Sequence, residues 1–328
     1  MTQITQATAL LSTRRNSLSR RPRSFVLLRS PTLIVGALIL AFWVCCATFG
    51  SHLTPYDPLA TDMLNVLSPI SPQHWFGTDQ LGRDVFSRVI VGARDVLIVA
   101  PLATLLGVML GTVGGLTTAY FGGIVEVMMS RVIEALLALP VVVVALLALV
   151  AIGPSNVTVV IVIGVVFAPS IARTVHAAVL SERSLEYVSA AQMRGENSLY
   201  IMFIEILPNV SAPIIVEAAV RLGYAIFTVA SLSFLGFGIQ PPSPDWGLAV
   251  SESYGLLAGG YWWTVVFDGL ATASLVVGVN LMADGVEGAL SSRLLKRQPT
   301  IPRYSASRTC MWTMSYADAG WRYCVDST

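Results

Sequence analysis

Ser189-Ala190-Ala191-Gln192-Met193-Arg194-Gly195, followed downstream by Leu207-Pro208, is the stretch on which the reading of this chain turns. It lies in a polar, charge-bearing segment, residues 181–208, between runs apolar enough to be membrane helices. Paired alanines, then a glycine, then Leu-Pro where the next apolar run begins describe a short helix that docks, stops and reverses. Glycine enters the left-handed conformation that ends helices, and proline suits the first turn of the next one. The small side chains of Ala190 and Ala191 let such a helix sit deep in a groove of a partner. Nothing in the segment is arranged for catalysis. It reads as an elbow by which a membrane bundle is pushed from outside the bilayer.

Composition supports a bundle in lipid. The 328 residues are 55% hydrophobic and 12% charged, against about 25% charged in soluble domains, and mean hydropathy is +0.71. The net charge of +1 gives no bulk attraction to a polyanion, and no nucleic-acid partner is expected. Six crossings are predicted, near residues 31–50, 96–120, 127–152, 157–177, 209–238 and 263–282, with Gly153-Pro154-Ser155-Asn156 as the turn between the third and fourth. The first run is longer than a signal-peptide core of about 7–15 residues and lacks an A-x-A cleavage site, so a retained helix is expected. Arg14, Arg15, Arg20, Arg21, Arg23 and Arg29 precede that run; Arg173, Arg183 and Arg194 surround the elbow; further basic residues follow Arg293. Basic residues concentrate on the cytoplasmic side of membrane proteins. Both termini and the elbow are therefore expected in the cytoplasm. Tyr254, Tyr261, Trp262 and Trp263 suit an aromatic belt at the outer surface, or ordinary loop positions.

The opposite side carries Gly77-Thr78-Asp79-Gln80-Leu81-Gly82-Arg83-Asp84-Val85-Phe86-Ser87-Arg88. Thr78 or Asp79 can cap a helix, Asp84 and Arg88 are four apart, and Val85 and Val89 form an apolar face. This predicts an amphipathic helix lying at the outer surface, where Gly77, Thr78, Asp79, Gly82, Arg83, Asp84 and Arg88 would meet a partner. The loop Gln240-Pro241-Pro242-Ser243-Pro244-Asp245-Trp246-Gly247 reads as a stiff, lid-like turn. Charges within predicted spans need an account, because lipid disfavours them. Glu217 and Arg221 form an i,i+4 pair, Arg131 and Glu134 an i,i+3 pair, and Asp268 has no local partner. They are read either as a polar stripe along a translocation path or as clamps and interface residues.

Other chemistry is missing. The single lysine, Lys296, precedes Arg297, whereas a phosphate-binding loop needs lysine before Ser or Thr. No HExxH or GxSxG occurs, and no nucleophile with a positioned base is found. His52, His74 and His176 read as packing or interface residues. Cys45, Cys46, Cys310 and Cys324 lack metal-ligand spacing. No catalytic residue, metal or cofactor is expected on this chain.

The run from Ser189 to Pro208 resembles the EAA motif of bacterial ABC importer permeases. Phe76-Gly77-Thr78-Asp79-Gln80-Leu81-Gly82-Arg83-Asp84, Ser231-Leu232-Ser233-Phe234-Leu235-Gly236-Phe237-Gly238, Gln240-Pro241-Pro242 and Asp245-Trp246-Gly247 look like the dipeptide/oligopeptide/nickel permease family, C-type subunit, and Asn280-Leu281-Met282-Ala283-Asp284-Gly285-Val286 resembles the end of that subunit. The likeness covers residues 30–297. Two positions depart from the motif. Ser189 stands where the family has Glu, with Glu186 one turn earlier, and Glu205 stands where Ile is favoured. The resemblance implies an all-α integral membrane protein of the type I ABC importer permease fold, with six transmembrane helices and a cytoplasmic coupling helix. It implies a bacterial inner-membrane location. It further implies a second, similar permease, two ATPases carrying ATP and Mg, and an extracytoplasmic binding protein that delivers peptide. Glu186, Ser189, Ala190, Ala191, Gly195, Leu207 and Pro208 would couple to an ATPase; Glu217, Arg221 and Asp268 would belong to the path or to intramembrane ion pairs.

The organisation expected is a cytoplasmic Arg-rich arm at 1–30, a first helix with an outer loop at 31–95, a permease core at 96–290, and a cytoplasmic, largely disordered tail at 291–328. Rival readings are an ion-coupled secondary transporter using Glu217, Asp268 or Glu134, a permease for another cargo such as nickel chelates or glycosides, and a structural membrane scaffold.

Overall fold

The computed structural model describes residues 31–297, with side chains through residue 288. The arm at 1–30, the tail beyond residue 297, Cys310 and Cys324 lie outside the described residues. The chain divides into two units, 1–290 and 291–328; of the second, only a helical stretch to Arg297 is described.

The helices are α1 (Pro31–Leu53), α2 (Val85–Phe121), α3 (Gly123–Leu137), α4 (Val141–Ile152), α5 (Asn156–Arg183), α6 (Glu186–Met193), α7 (Ser198–Tyr200), α8 (Ser211–Phe234), α9 (Trp246–Ser253) and α10 (Trp263–Arg297). A π-helical stretch, Ile201–Ile206, follows α7, and a 3-10 turn, Tyr254–Gly259, follows α9. Among the described residues no strand forms beyond an isolated bridge between Thr78 and Asp84. Backbone groups inside a bilayer have no water to bond, so helices that satisfy them internally are the natural solution.

Five of these helices are long and apolar enough to cross a membrane: Pro31–Leu53, Val85–Phe121, Asn156–Arg183, Ser211–Phe234 and Trp263–Gly288. The predicted third crossing is not one helix. α3 and α4 meet at 89°. Pro140 caps α4 in an extended conformation, and a proline disfavours helix at the residue before it. At 1.5 Å per residue α4 alone reaches only ~18 Å, short of the ~30 Å core; taken together as one bent span, α3 and α4 bring the candidate crossings to six.

The second predicted span begins eleven residues too late, at Val96 rather than Val85. Asp84, not Thr78 or Asp79, caps the helix, its side chain accepting from the Ser87 amide at 2.8 Å. The surface amphipathic helix does not exist as such: its residues are the first turns of α2, and Val85, Ser87, Arg88 and Val89 are all buried. α8 begins at Ser211, so Pro208 sits in the preceding turn and Pro213 occupies the first turn. The loop before α9 is not a lid either, since Ser243, Asp245 and Trp246 are buried. Of the aromatics flanking the last span, Tyr254 and Trp262 are exposed, whereas Trp263 is 9% exposed and its indole donates to the Thr78 carbonyl at 3.2 Å.

α2 packs along α5, and α1, α8 and α9 pack around that pair. Lipid tails are as apolar as leucine, so helices associate through close packing of small residues rather than by escaping water. Gly107, Gly111 and Gly115 recur every four residues along α2. A Cβ at Gly111 would lie 2.6 Å from Ile171 Cβ, and one at Gly115 would lie 2.6 Å from the Ala172 carbonyl oxygen. α1 crosses α10 in the same way: a Cβ added at Gly36 would lie 2.6 Å from the Gly278 carbonyl oxygen.

Gly111→Leu or Gly115→Val is expected to destabilise the bundle by at least ~1–3 kcal/mol through overpacking. Gly114→Ala, whose added Cβ would stop 3.7 Å from Ala172, is expected to be harmless. Thermal unfolding of the purified protein in detergent separates the three.

Candidate functional site

The elbow joins α5 to α8. After Arg183 the chain turns at Ser184 and forms α6, which ends in a Schellman motif: the Gly195 amide donates to the Gln192 carbonyl at 3.0 Å and the Glu196 amide to the Ala191 carbonyl at 3.3 Å. Gly195 has φ +77°, as that motif requires. The chain returns through α7 and the π-helical stretch, closed by the Leu207 amide on the Met202 carbonyl at 3.0 Å. Val188 and Ala191 are buried against that returning stretch, which presents Ile201, Met202 and Ile206. Ala191 is 0% exposed. Its small side chain therefore serves packing within this chain, not a partner's groove. The face left open carries Glu186, Ser189 and Met193, the last 83% exposed, with Leu185, Leu199 and Ile204 nearby. Glu186 and Ser189, three apart, share that face. Ala190 is half-buried, Leu207 is half-buried and Pro208 is exposed.

Glu205 accepts from Arg194 at 3.1 Å, so it ties the returning arm to the end of α6. The helix that enters the elbow is also tied to its neighbours: from α5, Arg183 donates to the Ala119 carbonyl at the end of α2 at 2.9 Å, and His176 meets Glu126 of α3 at 3.0 Å.

At the opposite end of the bundle a knot of charges replaces the predicted surface patch. Thr78, Asp79, Arg83, Asp84 and Arg88 are each at most 9% exposed, and Gly77 and Gly82 are buried. One carboxylate organises the loop. Asp79 Oδ1 accepts the amides of Leu81 and Arg83 at 2.8 and 3.0 Å, and its Oδ2 accepts Arg83 Nε at 2.6 Å and Arg88 Nη1 at 2.7 Å. Both guanidiniums then reach Glu252 of α9, at 2.6 Å from Arg83 and 3.4 Å from Arg88. Asp84 does not pair with Arg88; it takes Ser87 and, through Oδ1, His74 at 2.9 Å. Thr78 Oγ1 accepts the Ser68 amide and donates to the Asn65 carbonyl. Glu252 has no signal in the sequence, since its partners are more than 160 positions away.

Trp246 is fully buried, and its indole donates to the Val89 carbonyl at 2.9 Å. Asp245 before it caps α9, accepting the Leu248 amide at 2.9 Å. Burial pushes the Asp245 carboxyl up to about 6.

The charges within the spans separate into two places. Glu217 and Arg221 pair at 2.6 Å on α8, Arg221 donates to Ser170 at 2.6 Å, and Thr174 donates to Glu217 at 3.3 Å. Asp268 lies near the start of α10, 2% exposed, with Oδ1 lacking a partner among the described residues. Among the described residues no hydrogen bond or ion pair joins it to the α8 pair; its charged neighbours are Arg88, Asp245, Asp79 and Glu252. Arg131 and Glu134 pair at 3.1 Å with both side chains mostly exposed. No group of three or more potential metal ligands occurs among the described residues.

Residues 103–296 match the family described as binding-protein-dependent transport system inner membrane component. The chain is 39% identical over 272 residues to the dipeptide transport system permease protein DppC of Escherichia coli K12, covering 81% of this chain and 90% of that protein. It is 34% identical over 265 residues to the di/tripeptide transport system permease protein DppC of Pseudomonas aeruginosa, covering 79% and 87%, and 34% identical over 284 residues to the dipeptide transport system permease protein DppC of Bacillus subtilis, covering 86% and 89%. The chain belongs to this family of binding-protein-dependent permeases. The resemblance read from the Phe76, Ser189, Ser231 and Gln240 stretches holds, and the helical architecture is that of the type I ABC importer permease. This permease is a multi-pass membrane protein and a component of a transport system rather than its catalytic subunit, and it works in complex with other subunits.

Arg88→Gln leaves Asp79 short of a buried counter-charge, and removing one partner of such a pair costs about 3–5 kcal/mol; loss of folded permease on size-exclusion chromatography is the expected readout. Asp245 gives a pH-dependent contribution of defined sign. Its carboxyl holds a proton up to about pH 6 when folded, against 3.8 unfolded, so stability from this group is full below about pH 4 and declines as pH rises through 6. Asp245→Asn keeps the cap and is expected to flatten the pH 4–6 portion of the melting-temperature profile.

Proposed function

We propose that this permease is one of two membrane subunits of an ATP-driven importer of di- and oligopeptides, forming half of the translocation path. A second permease, two cytoplasmic ATPases holding ATP and Mg, and an extracytoplasmic peptide-binding protein complete the machine. The peptide cargo is supported by the three relatives, whose names specify dipeptide or di/tripeptide transport. The clustering of arginines near the elbow and at both ends of the sequence supports cytoplasmic termini in a bacterial inner membrane.

The elbow carries the mechanism. Its helix is braced internally by Val188 and Ala191 and offers Glu186, Ser189 and Met193 outward beside exposed Leu185, Leu199 and Ile204. That is an apolar patch with a charged edge, the composition of an interaction surface. Closure of the ATPases on ATP would carry α6 with them. Arg183 bonded to the end of α2, and His176 bonded to α3, would pass that displacement to two further helices. Peptide released by the binding protein then enters between the permeases, and hydrolysis resets the assembly. The ATP chemistry belongs to other chains.

The ion-coupled reading draws little support: Glu217 is held by Thr174 and Arg221, no hydrogen bond or ion pair among the described residues joins Asp268 to it, and Glu134 is exposed.

Met193→Asp combined with Ser189→Arg changes only exposed positions, so insertion is expected to survive while peptide uptake falls about tenfold or more, as when hot-spot residues of an interface are lost. Gly195→Val forces a branched side chain into the left-handed region at about 1–2 kcal/mol and is expected to lower uptake per ATP hydrolysed. Ala191→Arg would fail differently, by driving a guanidinium into this chain's own interior. Wild-type uptake by the first variant in reconstituted vesicles would remove the elbow from the mechanism. Mass spectrometry of the ligand retained by the copurified binding protein tests the cargo.

A further inference from the structure

We propose that Glu217 and Arg221, with Tyr224, form a transit site that receives the two charged termini of a short peptide; the proposal rests on the peptide-importer reading above. Arg221 lies ten residues into α8, ~15 Å from its start, which is about half the depth of a ~30 Å core. A charge pair at that depth is disfavoured against lipid, so the face that bears it meets protein or water. The pair is not sealed: its side chains are 22% and 15% exposed. Beside it, Tyr224 and Phe227 are 57% and 59% exposed, and the guanidinium lies 5.5 Å from the centre of the Tyr224 ring.

The bonding leaves capacity for a ligand. A guanidinium has five N–H donors. Arg221 uses Nε on Glu217 and Nη2 on Ser170, and Nη1 has no acceptor among the described residues. A planar fork with free donors is suited to a carboxylate. Glu217 keeps the Thr174 hydroxyl on Oε2 while its Oε1 faces Arg221. The hydroxyls of α5 can therefore hold both side chains in place while their mutual bond opens. A peptide carboxylate would take the guanidinium and a peptide ammonium would take Glu217.

Dimensions and charge agree with a short zwitterion. Residues four apart on a helix have Cβ atoms about 5–6 Å apart, and an extended dipeptide spans about 7 Å. The empty pair is neutral and so is the zwitterion, so loading the site introduces no net charge into the membrane. The internal bond reforms when peptide leaves, which keeps occupancy transient, as conduction requires. Tyr224 and Phe227 would give peptide side chains a tolerant aromatic wall. A clamp between helices would instead place the two charges on different helices and bury both.

The test uses the full transporter in liposomes with its binding protein, comparing a free dipeptide with its C-terminal amide and its N-acetyl form, each rate corrected for affinity to the binding protein. Wild type is expected to favour the free dipeptide about tenfold or more, the scale of a charge-assisted hydrogen bond. Arg221→Gln should abolish the preference over the amide, and Glu217→Gln the preference over the acetylated form, with peptide-stimulated ATP hydrolysis retained. Glu217→Met with Arg221→Met leaves no unpaired buried charge; it should fold and remain without either preference. Equal wild-type uptake of free and blocked dipeptides, or a double variant with both preferences intact, overturns the site while leaving the importer reading standing. A wild-type complex that carries no peptide in any form overturns both.

Discussion

A buried charge must find a counter-charge, and in this permease one carboxylate, Asp79, meets that demand for two arginines at once. Its four close hydrogen bonds fold the loop from Gly77 onto itself and bring Arg83 and Arg88 to Glu252 on α9. The knot anchors the start of α2 and draws in the segment that follows α8. Trp246 and Trp263 then have backbone carbonyls within reach, at Val89 and Thr78. Ion pairs of this kind are a weak source of net stability but a strong source of specificity, because every wrong arrangement leaves a desolvated charge alone. The knot fixes one end of the bundle.

The other end is built on different physics. There the elbow is held by a glycine-terminated helix, a π-helical return and a few exposed polar contacts, with only Val188, Ala191 and the returning Ile201, Met202 and Ile206 forming an apolar seam. Few buried contacts and many exposed hydrogen bonds are features of segments that open or move at low cost. A bundle fixed by buried charge at one end and lightly built at the other is suited to pivoting. The close α2–α5 contact along Gly107, Gly111 and Gly115 makes those two helices a stiff unit between the ends. Displacement applied at Arg183 would be carried along α5 rather than dissipated.

The departures from the family motif make physical sense in this arrangement. Glu205 in place of an apolar residue has an arginine to meet, Arg194, only because the elbow turns back on itself. Ser189 leaves the outward face less acidic at that position, with Glu186 one turn away on the same face. Likewise Glu217 and Arg221, charged residues inside α8, pair with each other and find the hydroxyls of Ser170 and Thr174 on α5.

Local chemistry is legible in the sequence and long-range chemistry is not. Long apolar runs give the membrane class and the places of most spans. Gly195 marks the end of the elbow helix because only a residue without a Cβ enters the left-handed region freely. The Glu217–Arg221 pair is visible because four residues make about one helical turn. Legibility ends where a residue's partner lies far along the chain. Asp84, Arg88 and Val89 look like a surface helix until the packing of α9 and α10 around them is known, and Ala191 looks like a docking residue until the π-helical return covers it. The break before Pro140 escapes hydropathy, which is blind to direction. Sequence alone thus determined that this is a helical membrane permease with a polar elbow between two spans. Only the tertiary structure decided which charges are buried and with whom they pair, because desolvation is a property of the assembled bundle and not of any one helix.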